Sequence, residues 1–548
     1  MALELIDLFI VGIYAVLLFG VANWVSREKA GHKKDAEDYF LAGKALPWWA
    51  VGASLIAANI SAEQIIGQSA QGYVVGLAIA AYEWQAAIVL LIVAKFFLPI
   101  FLKTGVYTMP QFLDLRFGGG VKSIMAVFWI ALYTAVNLTA VLWLGGLAIS
   151  AVTGLAVWPA MALLATFAIL YSLYGGLKAV ALTDIIQVVI LIAGGFLITF
   201  VALGLVGQGE GALAGLSILM NEIPGHFDMI LPTGHPNYSD LPGIWTLLGG
   251  LWVLHFSYWG FNQYIIQRAL GSKNQAEAQK GLAFAAALKL LIPVIVVIPG
   301  IAALYLADAG LLDGATLEER PDSTYGVLMT LVPAGLRGLV FAALVAAIVS
   351  SLASMVNSIS TIFTMDIYRA FKPDGKTGHY VTVGRITALT AMLIALLLAQ
   401  PFLGGFESAF QTIQEYTGFI APGVVAIFLL GFFWKRANTA GAFALLISSV
   451  GLSFLFWLLA NPAAFGGIGS NLLAGLGMEA LDLPFVIRIW IVFLSCLVIG
   501  VVVSLLTPAP RADRPVELSG LQFATTPVFN AAAIAIIAIL IAIYGVFW

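Results

Sequence analysis

The sequence predicts an all-α, polytopic membrane protein of about fourteen transmembrane helices. Three observations carry that expectation. Of 548 residues, 61% are apolar and only 10% are charged, where a soluble chain carries about a quarter charged. The apolar residues lie in runs of about 20 or more, enough to cross a hydrocarbon layer roughly 30 Å thick. The runs are rich in Leu, Ala, Ile and Gly, a composition that satisfies its own backbone inside lipid as helix and not as a barrel of short alternating strands.

The spans follow in order. The first, 6–25, is long enough to cross and no small-residue cleavage site follows it, so it reads as an uncleaved peripheral helix. Five spans come next, at 46–71, 77–102, 123–150, 157–175 and 179–206. A second five lie at 243–268, 278–306, 335–368, 382–400 and 407–433, and three peripheral helices, 438–460, 485–507 and 528–548, close the chain. Basic residues gather in cytoplasmic loops. With both termini extracytoplasmic, all of the 25 Lys and Arg except Lys289, Arg320, Arg337 and Arg488 fall at cytoplasmic ends, among them Arg27, Lys29, Lys33, Lys34, Lys178, Arg268, Lys376, Arg511 and Arg514. The long segment from Val206 to Gly243 has no Lys or Arg. The localisation expected is a cell membrane crossed many times.

Two spans look interrupted. In 46–71 the stretch Ala57–Gln64 places Asn59, Ser61, Glu63 and Gln64 where lipid favours Leu; in 243–268, Gly249 and Gly250 are followed by His255, Ser257, Tyr258, Gly260, Asn262 and Gln263. Their starts are five spans apart. Transporters built from inverted repeats carry broken helices at corresponding positions, so 46–206 and 243–433 read as a five-plus-five inverted repeat, with one helix before it and three after.

Other functions fit poorly. A net charge of −3 suggests no nucleic-acid partner, and the only cysteine, Cys496, in an apolar run, excludes a disulfide within the chain and reads as an inert thiol. No Gly-rich loop with Lys-Ser/Thr points to ATP. The five histidines form no metal-ligand cluster, and no enzyme, soluble domain or obligatory protein partner is indicated.

Polar side chains at membrane depth are functional candidates by default. Glu83 and Lys289 are either a structural pair or anchors for hydroxyl groups; Gln64, Asn137, Gln414 and Asn262 add the amides a polyhydroxy solute needs, though Asn137 and Asn262 also suit interhelical glue. Tyr258, with Trp259 beside it, is a stacking platform or gate, or else ordinary packing. Ser350, Ser354 and Asn357 share one face of span nine, and Ser351, Ser354 and Ser358 an adjacent one. Such hydroxyls, with carbonyls freed by a broken helix, make an all-oxygen site for a hard cation, or simply bond within the bundle. Asp184 either holds a departing cation or pairs with Lys178. Glu63 and Glu415 either serve gating or face water.

These same stretches resemble the sodium/solute symporter family, and within it the bacterial sodium/glucose-galactose type. The resemblance rests on EDYFLAGKALPWWAVGASLIAANISAEQ at 37–64, YGGLKAVALTDIIQ at 174–187, YWGFNQYIIQR at 258–268, FAALVAAIVSSLASMVNSISTIFTMDIY at 341–368 and IQEYTGFIAPG at 413–423. It implies a LeuT-like inverted repeat, alternating access and sodium-driven uptake of a neutral hexose across the plasma membrane. Sodium would be held by carbonyls of Ala57, Ile60 and Ala347 and hydroxyls of Ser350 and Ser351. The sugar would meet Gln64, Glu83, Asn137, Lys289 and Gln414, with Tyr258 as inner gate and His255 and Trp259 nearby. Asp184 and Ser354 match positions used for cation exit or a second sodium. Ala86, His255 and Ser257 depart from the galactose-type pattern, where serine, asparagine and tyrosine are expected. A symporter for inositol, an amino acid or a vitamin, and a sodium-dependent sugar sensor, are the competing expectations.

Overall fold

The computed structural model describes residues 3–26, 41–374, 377–403, 409–475, 481, 483–509 and 520–548. Arg27, Lys29, Lys33, Lys34, Lys376, Arg511 and Arg514, and residues 37–40 of the first motif, lie outside these. The regular elements among the described residues are all helices, without a β-strand. The helices that build the site and its frame are α1 (Leu5–Ser26), α2 (Trp48–Asn59), α3 (Glu63–Val74), α4 (Leu77–Thr104), α5 (Gly119–Thr153) and α6 (Val157–Val206). After the loop helix α7 (Ala212–Glu222) come α8 (Gln263–Leu270), α9 (Gln275–Asp308), α10 (Leu336–Phe371) and α11 (Gly378–Leu403). The rest are α12 (Ala409–Gly418), α13 (Ala421–Phe433), α14 (Thr439–Ala460), α15 (Phe485–Leu506) and α16 (Pro527–Val546).

Nine helices among the described residues are long and apolar enough to cross a membrane, and two bent pairs bring the number to 11. Both interruptions expected from the sequence are present. Helices α2 and α3 are one broken span, bent by 62°. The 243–268 stretch is cut into Ile244–Leu248, Leu251–His255, a π turn at Phe256–Phe261 and α8. Backbone ψ swings to −139° at Gly249 and to 126° at Asn262. A third break, between α12 and α13, bends the chain by 40°; the sequence reading treated 407–433 as one continuous span.

Two further differences have physical causes. The expected spans 157–175 and 179–206 are joined without a loop, helical backbone running through Gly175 and Gly176 between them as α6. Yet the Cβ position of Gly145 lies 2.9 Å from Leu164 Cδ1 and 3.1 Å from Ile348 Cγ2, while Asp184 accepts a hydrogen bond from Ser350. Positions 164 and 184, about 30 Å apart on a straight helix, therefore meet α10 within two residues of each other, and α6 doubles back as two limbs. The segment 206–243, expected as loop, contains α7 and is pinned to the chain's last turn by the Met229 N–H donating to the Phe547 carbonyl (2.7 Å).

Helix α10 is the centre of the molecule, with 89% of its apolar window buried against 17% in α16, which faces outward. Its N-terminus is capped from the periphery: the buried Asp7 carboxylate of α1 accepts from the backbone N–H of Gly335 (2.7 Å) and Gly338 (2.8 Å). Helices α3 and α9 cross in backbone contact. A Cβ on Gly72 would lie 2.5 Å from the Val297 carbonyl and one on Gly300 would lie 2.2 Å from that of Ser69, a crossing that only small residues allow. Cys496 is buried in α15 and its thiol donates to the Leu445 carbonyl.

Candidate functional site

The break after α2 has a local cause. Ser61 and Gln64 form a capping box for α3: the Ser61 hydroxyl accepts from the Glu63 N–H (3.1 Å), and the Gln64 Oε1 accepts from the Ser61 N–H (3.1 Å) and hydroxyl (2.7 Å). The N–H that a continuous helix would send to the Ala57 carbonyl is thereby redirected. Across the gap the Ser351 hydroxyl of α10 donates to the Ala58 carbonyl (3.1 Å). The expected sodium ligands Ala57, Ile60, Ala347, Ser350 and Ser351 are all buried where these two elements meet, with Ala347 about one turn before the two serines.

Beside this junction lies a buried network. Asp184 accepts from the hydroxyls of Ser54 (2.5 Å) and Ser350 (2.6 Å) and forms an ion pair with Arg268 at 3.4 Å. Arg268 also donates to Ser54 (2.6 Å), to Ser354 and to the Tyr264 carbonyl. Arg268, counted from sequence among cytoplasmic basic residues, is thus enclosed at 1% exposure and supplies the cation beside Asp184. The alternative partner, Lys178, has a side chain outside the described residues.

A cavity of about 70 Å³ adjoins the broken helix, a polar space with room for several small groups. All eight side chains expected to contact solute line it: Gln64, Glu83, Asn137, His255, Tyr258, Trp259, Lys289 and Gln414. Four come from π turns, Gln64 from Glu63–Gly67, Asn137 from Tyr133–Leu138, and Tyr258 and Trp259 from Phe256–Phe261; such a bulge in the ladder is a common feature of functional sites. Lys289 donates to the Glu83 carboxylate and to Asn59 Oδ1, and its ammonium lies 4.8 Å from the centre of the Trp259 ring. The structural and functional readings of Glu83 and Lys289 are therefore compatible, since an ion pair forms in the cavity wall. The Tyr258 hydroxyl accepts from Asn59 Nδ2 (3.2 Å), and its ring meets Tyr264 edge to face. Asn262 serves as a cap, accepting from the Tyr264 N–H and the Tyr133 hydroxyl. Gln414 donates to Glu63 at 3.3 Å, and Glu415, the next residue, pairs with Arg488 at 2.7 Å.

Some members were not singled out from sequence. Gln68 donates to Glu83 at 2.7 Å, and Tyr82 lines the same space. Gln68 lies four residues after Gln64, on the same helical face, a signal that could have found it. Of the three departures from the galactose pattern, His255 and Ser257 line the cavity, while Ala86 is buried outside its lining. Four buried polar atoms of the lining have no hydrogen-bond partner: Gln68 Oε1, the Tyr82 hydroxyl, Asn137 Oδ1 and His255 Nε2. Buried polar atoms are otherwise nearly always partnered.

The family model of the sodium:solute symporter family matches residues 39–449. The chain belongs to the sodium:solute symporter family. It is 48% identical over 557 residues to a sodium/glucose cotransporter of Vibrio parahaemolyticus, covering 100% of this chain and 99% of that one. It is 33% identical to sodium/glucose cotransporter 4 of Danio rerio, over 80% of this chain and 70% of the relative. Sodium/myo-inositol cotransporter 2 of Oryctolagus cuniculus is 32% identical, over 84% and 70%. A solved sodium-coupled sialic acid symporter in a substrate-bound, outward-open state superposes with a TM-score of 0.77 over 93% of this chain and 99% of that chain; at 21% identity this speaks for the fold alone. A member of the sodium:solute symporter family is a transporter and not an enzyme, and sodium is the ion it couples to its solute.

Proposed function

We propose that this symporter imports a neutral hexose of the glucose or galactose kind with sodium, by alternating access. The observation that carries the proposal is the convergence of Gln64, Glu83, Asn137, Lys289 and Gln414 on one cavity whose wall holds unpartnered buried donors and acceptors. A ring of hydroxyls supplies complementary partners to each, and Tyr258 or Trp259 offers its face to the sugar's C–H surface. Lys289 neutralises Glu83, so this pair by itself presents no unbalanced charge to a neutral sugar.

In this reading the architecture is fourteen helices with an inverted repeat, 46–206 against 243–433, in the plasma membrane with both termini outside. Sodium enters between the α2–α3 break and α10, held by Ala57, Ile60 and Ala347 carbonyls and the Ser350 and Ser351 hydroxyls. Binding there draws the Ser351 hydroxyl away from the Ala58 carbonyl and fixes α3, which carries Gln64 and Gln68. The sugar then meets an ordered wall. Coupling of this kind is reciprocal and typically about 1–3 kcal/mol. Tyr258 is the inner gate, closed by its bond to Asn59. Below it, Asp184 and Ser354 with Arg268 form the exit step, where a departing sodium exchanges partners with the guanidinium.

The test is uptake into proteoliposomes. Sugar accumulation is expected only with an inward sodium gradient, and equal rates without sodium would refute the coupling. A cyclitol such as myo-inositol is the second reading, favoured by His255 standing in the cavity wall where the galactose pattern has asparagine and by the similarity to inositol cotransporters; competition between the two solutes in the same vesicles decides.

A further inference from the structure

The cavity wall holds two carboxylates, Glu63 and Glu83, and a single ammonium, Lys289. Lys289 is fully committed. An ammonium has three donors, and this one is spent on Glu83, on Asn59 and on the Trp259 face. Glu63 is buried at 8% exposure and forms no ion pair among the described residues; its side chain accepts a single bond, 3.3 Å long, from Gln414. The other basic groups nearby are also engaged, Arg268 with Asp184 and Arg488 with Glu415. A buried carboxylate without a cation is unfavourable, and a neutral hexose supplies no charge to relieve it. The unpartnered Asn137 Oδ1 and His255 Nε2, 7% and 6% exposed, mark the same space as ligand-facing.

We propose that the cavity also accepts monosaccharides bearing a protonated amine in place of a hydroxyl, with Glu63 as the group that receives the ammonium. This rests on the sugar reading above. A positively charged solute balances the second carboxylate, whereas a sugar acid adds a third negative charge to the cavity. The chemical class admitted is thus neutral and cationic monosaccharides, and the class rejected is uronic and sialic acids.

Electrogenic uptake in proteoliposomes tests this with glucose, galactose, glucosamine, galactosamine and glucuronate under one sodium gradient at neutral pH. Glucosamine or galactosamine is expected to compete with its parent hexose at a similar concentration and to move one additional elementary charge per solute. Glucuronate is expected not to compete. In Glu63→Gln, the ratio of the amino-sugar KM to the hexose KM is expected to rise about tenfold, the loss of one charge-assisted hydrogen bond, whatever happens to the absolute rate. The wild-type charge count stands by itself if the variant fails to fold. Hexose uptake without competition from either amino sugar, or amino-sugar uptake with no added charge, overturns the inference. Absence of sodium-dependent hexose current would instead refute the sugar reading, and this inference with it.

Discussion

Lys289 and Glu83 are the most consequential pair in the cavity, because each is buried and each is charged. Removing one partner of such a pair leaves the other uncompensated and costs about 3–5 kcal/mol. Lys289→Ala is therefore expected to abolish sodium-dependent uptake and to lower the melting temperature. The double variant Lys289→Met with Glu83→Gln should recover much of the melting temperature and none of the transport, which separates holding the fold from holding the solute. Ser351 has a narrower part. Ser351→Ala removes one hydroxyl from the proposed sodium site, and the half-saturating sodium concentration should rise about five- to tenfold, the worth of one hydrogen bond of about 1 kcal/mol, with protein yield unchanged. The intramembrane amides and charges were readable from sequence because lipid penalises each of them separately. Partnerships were not. Asp184 and Arg268 are 84 residues apart, and no local pattern distinguishes an arginine that ends a span from one folded back into it.

The broken helix was readable because its cause is local: Asn59, Ser61, Glu63 and Gln64 stand together in the middle of an apolar run, and two of them, Ser61 and Gln64, make the capping box that starts α3. The bend between α12 and α13 was not, since the Gly418–Pro422 stretch keeps an apolar composition across it. The doubling-back of α6 was readable as two separate apolar spans, 157–175 and 179–206, with Lys178 between them; in the structure it rests on contacts of both limbs with α10. Two element contacts invite measurement. Asp7 caps α10 from another helix, so Asp7→Ala should lower stability by about 0.5–2 kcal/mol, with Asp7→Asn recovering part of it; thermal melting reads the loss, and the hexose KM should stay within twofold. At the α3–α9 crossing, Gly300→Leu has no room against the Ser69 carbonyl. The two helices would part, and uptake should fall below detection while Gly378→Leu, at an open position, leaves uptake intact.

The assembled molecule joins its two working regions through α3 and α10. Helix α3 starts at the break that frames the proposed sodium site and carries Gln64 and Gln68 into the wall of the proposed solute cavity. Sodium and hexose should accordingly raise the melting temperature more together than the two shifts added, and the factor by which sodium lowers the hexose dissociation constant should equal the converse factor. Calorimetric titration in both orders checks the equality. The Glu415–Arg488 pair ties α12 to α15, so the two share a fixed point next to Gln414. Which helices travel and which stay can be followed directly, because the chain has one sulfhydryl, Cys496, and it is shut away in α15. Replacing that residue with alanine or serine gives a blank background. Paired nitroxide or fluorophore labels on α12 and α11 would then yield distance distributions between these two helices with and without sodium, free of any competing attachment point.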